Sequence, residues 1–240
     1  MTRSDGRTPE QMRPLECIPD FVPPASGSAL ISVGRTQVIC TASVESGVPR
    51  WLAGKGRGWV TAEYGMLPAS TGQRKARDTT RLHPDGRTVE IQRLIGRALR
   101  AVVDFAALGE RTVYLDCDVL VADGGTRCAA ITGAYVAFAR AMRQLLADGL
   151  LARSPLTGSV AAISCGIVDG VALLDLDYSE DSTAEVDANV VMTDAGGLVE
   201  VQATAERTPL SRAHLDDLLA LAAGGIAELH TVQAAAIGYS

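Results

Sequence analysis

A chain of 240 residues, 47% hydrophobic and 21% charged, has the composition of an ordinary globular protein with room for a substantial core. It has no apolar run of about 18 residues to span a membrane, and its N-terminal MTRSDGRTPEQMRP lacks the apolar stretch of a secretory signal. The net charge of −6 excludes a generally basic coat, but eleven Lys and Arg against four Asp and Glu lie between Arg50 and Arg100, and this local +7 suggests a polyanion-binding surface.

In chain order, GSALISVG and TQVICTASVES read as strands joined at a Gly34-Arg35 hairpin, and GWVTAEYGML follows as a third. Residues 69–87, rich in Ser, Thr, Gly and Arg, read as a long exposed loop. From Thr88 to Leu108 apolar residues recur near a 3.6 period and predict one helix, with Arg93, Arg97 and Arg100 on a solvated face. RTVYLDCDVLVA reads as a buried strand, and Thr126–Leu151 as a helix apolar on most faces and therefore central. After Pro155 and Gly158 the order repeats. SVAAISCGIVDG, VALLDLDY, ANVVMTDAGG and LVEVQATAE predict strands, and Ser211–Ala236 a helix interrupted at Gly224-Gly225. The expectation is an α/β (α+β) chain of two related strand-then-helix lobes, about 1–152 and 153–240.

Two stretches carry chemistry. In ADGGTRCA (122–129) the glycines are turn residues able to take positive φ. The helix opening at Thr126 has unpaired N–H groups and a partial positive charge that favour an anion, and Arg127 adds a planar cationic fork beside it. The plain alternative is an ordinary helix start. In DLDYSEDSTAEVDANVVM (175–192), Asp181 and Asp187 are six apart and would share one side of an extended segment. Two carboxylates with few other ligand types suit Mg²⁺ or Mn²⁺. Glu180 and Glu185 would contribute, or simply face water.

An anion-binding turn, an Arg-rich loop and a carboxylate pair are the parts needed for phosphoryl transfer on a polyanion, where catalysis is positioning and charge neutralisation. Neither a P-loop nor a strand-linked G-x-G-x-x-G is present. Five widely spaced Cys without C-x-x-C predict buried free thiols, and His only at 83, 214 and 230 argues against a zinc site. A cytoplasmic protein is expected.

On the stretches GVPRWLAGKGRGWVTAEYGMLPAST, GRTVEIQRLIGRALRAVVD, LDCDVLVADGGTRCAAITGA, EDSTAEVDANVVMT and VEVQATAE, the chain resembles the ribonuclease PH family over nearly its whole length. The resemblance implies a two-lobed fold like ribosomal protein S5 domain 2. It implies a phosphate-dependent 3′→5′ exoribonuclease that trims tRNA 3′ ends and releases nucleoside diphosphates, reversibly, in a homohexameric ring of three dimers. It places inorganic phosphate at Arg87, Gly125, Thr126 and Arg127, and the catalytic and metal-associated carboxylates at Asp181 and Asp187. A basic RNA-contacting role carries over to Arg74, Lys75, Arg77 and Arg81, in a loop whose RKARDTTRLH is this chain's own version. The sequence does not divide the roles of ligand and general acid between Asp181 and Asp187, nor name RNAs beyond tRNA precursors. Two rivals remain, a metal-dependent hydrolase releasing monophosphates and an inactive ring subunit.

Overall fold

The structure, a computed structural model, describes residues 3–77, 85–206 and 209–238. Alternating apolar residues build strands such as Thr36–Ser46 of a first sheet, and a continuous apolar run builds a central strand, Val160–Val168, of a second. The first contains β1 (Leu15–Pro19), β2 (Gly27–Val33), β3 (Thr36–Ser46), β4 (Trp59–Met66) and β5 (Arg111–Val121), in the order β1-β2-β3-β5-β4. Gly34, at φ +56°, turns the β2–β3 hairpin, and only β4 and β5 run parallel. Their crossover carries α1 (Gly86–Arg100) and α2 (Phe105–Leu108). The helix predicted over Thr88–Leu108 is thus two. Val103 leaves the helical path to bridge Leu156, and Asp104 caps a new turn by accepting from the N–H groups of Ala106 and Ala107. Apolar periodicity runs through such a break without registering it.

The second sheet, β7-β6-β8-β9, is antiparallel throughout: β6 (Val160–Val168), β7 (Val171–Leu174), β8 (Val186–Thr193) and β9 (Leu198–Ala205). Two long helices complete the fold, α3 (Thr126–Ala147) and α5 (Arg212–Ile237). α3 packs against β2, β3 and β5 on one side and β6 on the other. Val160, Ala162 and Val191 of the second sheet join its core, while Ile163, Cys165 and Val190 turn to Leu218, Ala222 and Ile226 of α5. The layers are therefore sheet, α3 with α1, sheet, α5. A helix between two sheets must be apolar nearly all round, and Phe138 and Ile131 are fully buried in it. Each such side chain contributes about 1.5–3 kcal/mol on burial.

By length and composition α5 is apolar enough to cross a membrane, but Leu218, Ala222 and Leu229 bury its apolar face on the second sheet. The Gly224-Gly225 pair does not interrupt it. A Cβ on Gly225 would approach Ile163 Cδ1 to 2.6 Å, so glycine lets helix and sheet close together. The strand expected over VALLDLDY ends at Leu174. Asp175 takes φ +52°, and a short α4 (Tyr178–Asp181) follows under an Asp177–Glu180 capping box. Residues 3–13 reach across to the second sheet, where Pro9 accepts from the Leu174 N–H at 2.8 Å and Met12 joins its core. All five cysteines are free, four of them buried.

Candidate active site

The turn before α3 is shaped by backbone need. Gly124 and Gly125 have φ of +82° and +66°, and a Cβ on Gly124 would fall 2.5 Å from the Leu176 carbonyl oxygen. Gly125, not Thr126, is the N-cap, and no side chain caps the helix. The first intrahelical bond is Ala129 N–H to Gly125 O, leaving the N–H groups of Thr126, Arg127 and Cys128 without acceptors among the described residues. Three neighbours fix the turn from behind. Arg13 donates to the Asp123 carbonyl, Thr36 Oγ1 donates to Gly124 O at 2.8 Å, and Arg35 pairs with the Asp123 carboxylate at 2.9 Å. The Thr126 hydroxyl lies 2.9 Å from that of buried Tyr64.

A cleft of about 700 Å³ opens before this turn, lined by Arg87, Gly125, Thr126, Tyr178 and Asp181. Asp85 caps α1 and places exposed Arg87 at its start, with no guanidinium hydrogen bond or ion pair among the described residues. A second cleft, of about 530 Å³, holds Arg127, Asp187 and Asn189. Arg127 is loosely held, 3.0 Å from Gln202 Oε1 and 3.4 Å from Glu90.

Asp181 ends α4 and Asp187 lies in β8, so they do not share one extended segment as the spacing suggested; tertiary packing brings them together instead. Neither carboxylate accepts a hydrogen bond among the described residues. Burial raises the pKa of Asp181, against the lowering effect of Arg87 and Arg127. Burial raises Asp187 too, and the charge of Asp181 raises it further. Two desolvated, mutually repelling carboxylates without a donor fit a divalent cation that keeps several waters. No cluster of three or more His, Cys, Asp or Glu exists among the described residues, so such an ion would rest on two carboxylates and water. Glu180 is not available to it: Arg3 grips it from Nε at 2.8 Å and Nη2 at 2.7 Å. Glu185 accepts from the Gly170 N–H at 3.0 Å.

Sequence reading missed two supports. The first is a buried arginine network. Arg13 pairs with Asp175 through Nη2 at 2.6 Å and Nε at 2.9 Å, and Arg7 donates to the Asp175 carbonyl at 2.9 Å. It joins the glycine turn to the segment carrying Asp181, so residues from opposite ends of the fold hold one geometry. The second is Asn189, whose Oδ1 accepts from the Cys128 thiol at 3.1 Å while burial keeps that thiol protonated. Its position two after Asp187 on one strand was the available signal.

The basic loop is uneven. Arg74 is exposed, Lys75 is drawn in beside Asp85 at 3.6 Å, Arg77 is exposed, and Arg81 lies outside the described residues. On α1, Arg97 pairs in two-pronged fashion with Glu200 at 2.8 and 2.9 Å, and Arg100 stacks over Trp59 at 4.8 Å while donating to the Val60 carbonyl. Arg93 and Arg97 are exposed, as a solvated face requires, while Arg97 also ties α1 to β9 and half-buried Arg100 ties it to β4.

Residues 11–144 match domain 1 of the 3′ exoribonuclease family, RNase PH, and residues 158–225 match domain 2. The chain belongs to this family. Its fold is shared with rice (Oryza sativa) Rrp46, at 19% identity and TM-score 0.78 over 98% of this chain and 100% of that one. An Archaeoglobus fulgidus exosome with RNA bound to the active site is similar at 22% identity and TM-score 0.79, covering 95% and 91% of the two chains. An archaeal exosome core is similar at 23% and 0.74, covering 96% and 89%. The family's two domains correspond to the two sheets, and the glycine turn and both carboxylates lie within the matched residues.

Proposed function

We propose that the protein is a phosphorolytic 3′→5′ exoribonuclease that removes nucleotides following the CCA end of tRNA precursors. The observation that carries this reading is that each of the two clefts combines anion-binding groups with a desolvated carboxylate: Arg87, Gly125 and Thr126 with Asp181 in one, Arg127 with Asp187 in the other.

Inorganic phosphate binds the free N–H groups at the start of α3, flanked by Arg87, Arg127 and the Thr126 hydroxyl. Held there, one of its oxygens is aimed at the phosphorus of the last phosphodiester. The new P–O bond forms as the bond to the 3′ oxygen breaks, and a nucleoside 5′-diphosphate leaves. Asp181, whose raised pKa favours holding a proton, is suited to protonate the departing 3′ oxygen. Arg87 and Arg127 offset the repulsion between two approaching anions, which is several kcal/mol in a water-poor site. Asp187, joined by Asp181 when that carboxyl is ionised rather than acting as the acid, would hold Mg²⁺ or Mn²⁺, which would supply further positive charge at the transferring phosphoryl group. A phosphodiester is exchanged for a phosphoanhydride, so the reaction runs in both directions.

RNA affinity comes from basic loop residues such as Arg74, which position the strand without reading its sequence. In a homohexameric ring each subunit brings another copy of that loop and raises avidity. Free buried thiols accord with a cytoplasmic setting.

The test is product analysis with Mg²⁺ and a tRNA carrying extra 3′ nucleotides, with and without inorganic phosphate. Nucleoside diphosphates released only with phosphate are expected. Monophosphates in both reactions would make the protein a hydrolase. RNA binding without release would make it a scaffold subunit.

A further inference from the structure

At the mouth of the larger cleft stands an aromatic ring that the proposed chemistry leaves unused. Tyr178 is 65% exposed, the most exposed large hydrophobic side chain among the described residues, yet it lines the cleft that contains Arg87, Gly125, Thr126 and Asp181. An aromatic ring left this far in water forgoes most of its burial energy and is informative where it borders a site. Its hydroxyl has no hydrogen-bond partner among the described residues, so the polar end does not account for its placement.

The backbone beneath it is rigid. Asp177 accepts from the Glu180 N–H at 3.0 Å, Glu180 accepts in return from the Asp177 N–H at 3.1 Å, and buried Arg3 clamps the Glu180 carboxylate. Tyr178 and Asp181 are three apart on this single helical turn, which puts their side chains on one side. A ring fixed at its base, free at its face and beside a reacting carboxylate has the form of a base-stacking platform. Every nucleobase offers a π-face, so such a platform accepts any base, as an enzyme removing successive nucleotides requires.

We propose that Tyr178 stacks on one of the two bases flanking the scissile phosphodiester and sets the position of the RNA 3′ end over Asp181. This rests on the proposed function, whose reaction supplies the RNA end. The ring holds the base and takes no part in bond exchange.

The experiment uses the intact protein with three RNAs of one length: an ordinary 3′ end, an abasic last nucleotide, and an abasic penultimate nucleotide. Binding is followed by fluorescence anisotropy without phosphate, and turnover is followed with it. For the wild type, one abasic RNA should bind more weakly, by about tenfold on the usual scale of base–aromatic stacking. Tyr178→Ala should lose the same factor on ordinary RNA, seen as a raised KM for RNA with the KM for phosphate unchanged. It should lose nothing more on the abasic RNA, while Tyr178→Phe keeps wild-type affinity. Equal discrimination against both abasic RNAs by wild type and Tyr178→Ala would overturn the proposal. So would a Tyr178→Ala defect explained by loss of subunit assembly in sedimentation. Absence of phosphorolysis by the wild type would overturn the proposed function instead, and the anisotropy comparison would still decide the stacking.

Discussion

The protein uses one residue type in two opposite ways. Arg3, Arg7 and Arg13, with side chains 0%, 6% and 3% exposed, are engaged inside the protein: Arg3 by Glu180, Arg13 by Asp175, and Arg7 by Asp5 and the Asp175 carbonyl. Arg87 and Arg127, at the starts of α1 and α3, have no such partners: one is exposed and unpaired among the described residues, the other weakly attached to Glu90 and Gln202. The acids divide in the same way. Asp175 and Glu180 receive buried guanidinium groups, while Asp181 and Asp187 receive no hydrogen bond among the described residues and carry raised pKa values. A charge matched inside the protein belongs to the fold, and a charge left unmatched in a cleft belongs to a ligand.

The sharpest test of this division is on the unmatched side. Arg127→Ala or Arg87→Ala should lower phosphorolysis at least about 100-fold, the scale of losing one group that stabilises transition-state charge. Sedimentation should show assembly unchanged. A variant keeping wild-type phosphate dependence would remove that arginine from the site.

On the matched side, Arg13→Met should act on stability first. Breaking a buried pair from one side costs up to about 3–5 kcal/mol, because Asp175 is left charged with only the Arg13 backbone N–H and the more distant Arg7 beside it. Urea unfolding should show the loss. The double variant Arg13→Met/Asp175→Asn, which removes the charge with a residue that tolerates φ +52°, should recover most of it, yet remain slow in turnover because the glycine turn has lost its support. A double variant with full turnover would show that the network does not position the turn.

Asp187→Asn turns the comparison round, since removing an unmatched charge should stabilise the metal-free protein. A carboxylate with a raised folded-state pKa destabilises the fold while ionised, above that pKa, and the penalty fades as the pH falls through it toward the ordinary value of 3.8. At pH 8 without divalent ions the variant should melt about 2–4 °C higher, as for a change of about 1 kcal/mol in a chain of this size. The gain should vanish at acid pH. Added Mg²⁺ should raise the melting temperature of the wild type and not of the variant, and phosphorolysis by the variant should be lost.

The smallest expected effect is at the rim. Arg74→Ala should weaken binding to single-stranded RNAs of any sequence and reduce the slope of log affinity against log salt by about 0.7, one phosphate contact's share. A sequence-dependent loss would mean that Arg74 reads bases.

Much of the fold was legible because its signals are local. Apolar alternation marked strands such as β3, a continuous apolar run marked β6, the long apolar run of α3 marked a central helix, and Ser211 marked the start of α5 by capping the His214 N–H. Gly124, Gly125 and Arg127 pointed to a candidate anion site because a turn, a helix start and a cation lie within a few residues. Asp181 and Asp187 were singled out for a reason the structure does not support, since parity along a strand does not link α4 to β8.

What the sequence alone determined, then, is the order of elements, the glycine turn and the stock of charged groups. Only the tertiary structure decided which charges are spent. Arg13 and Asp175 are 162 residues apart, and nothing local distinguishes Arg13 from Arg74 or Glu180 from Asp181. Desolvation and pairing arise when distant segments close around a group, so the roles of identical side chains were set by where the second sheet met the first turn of α3.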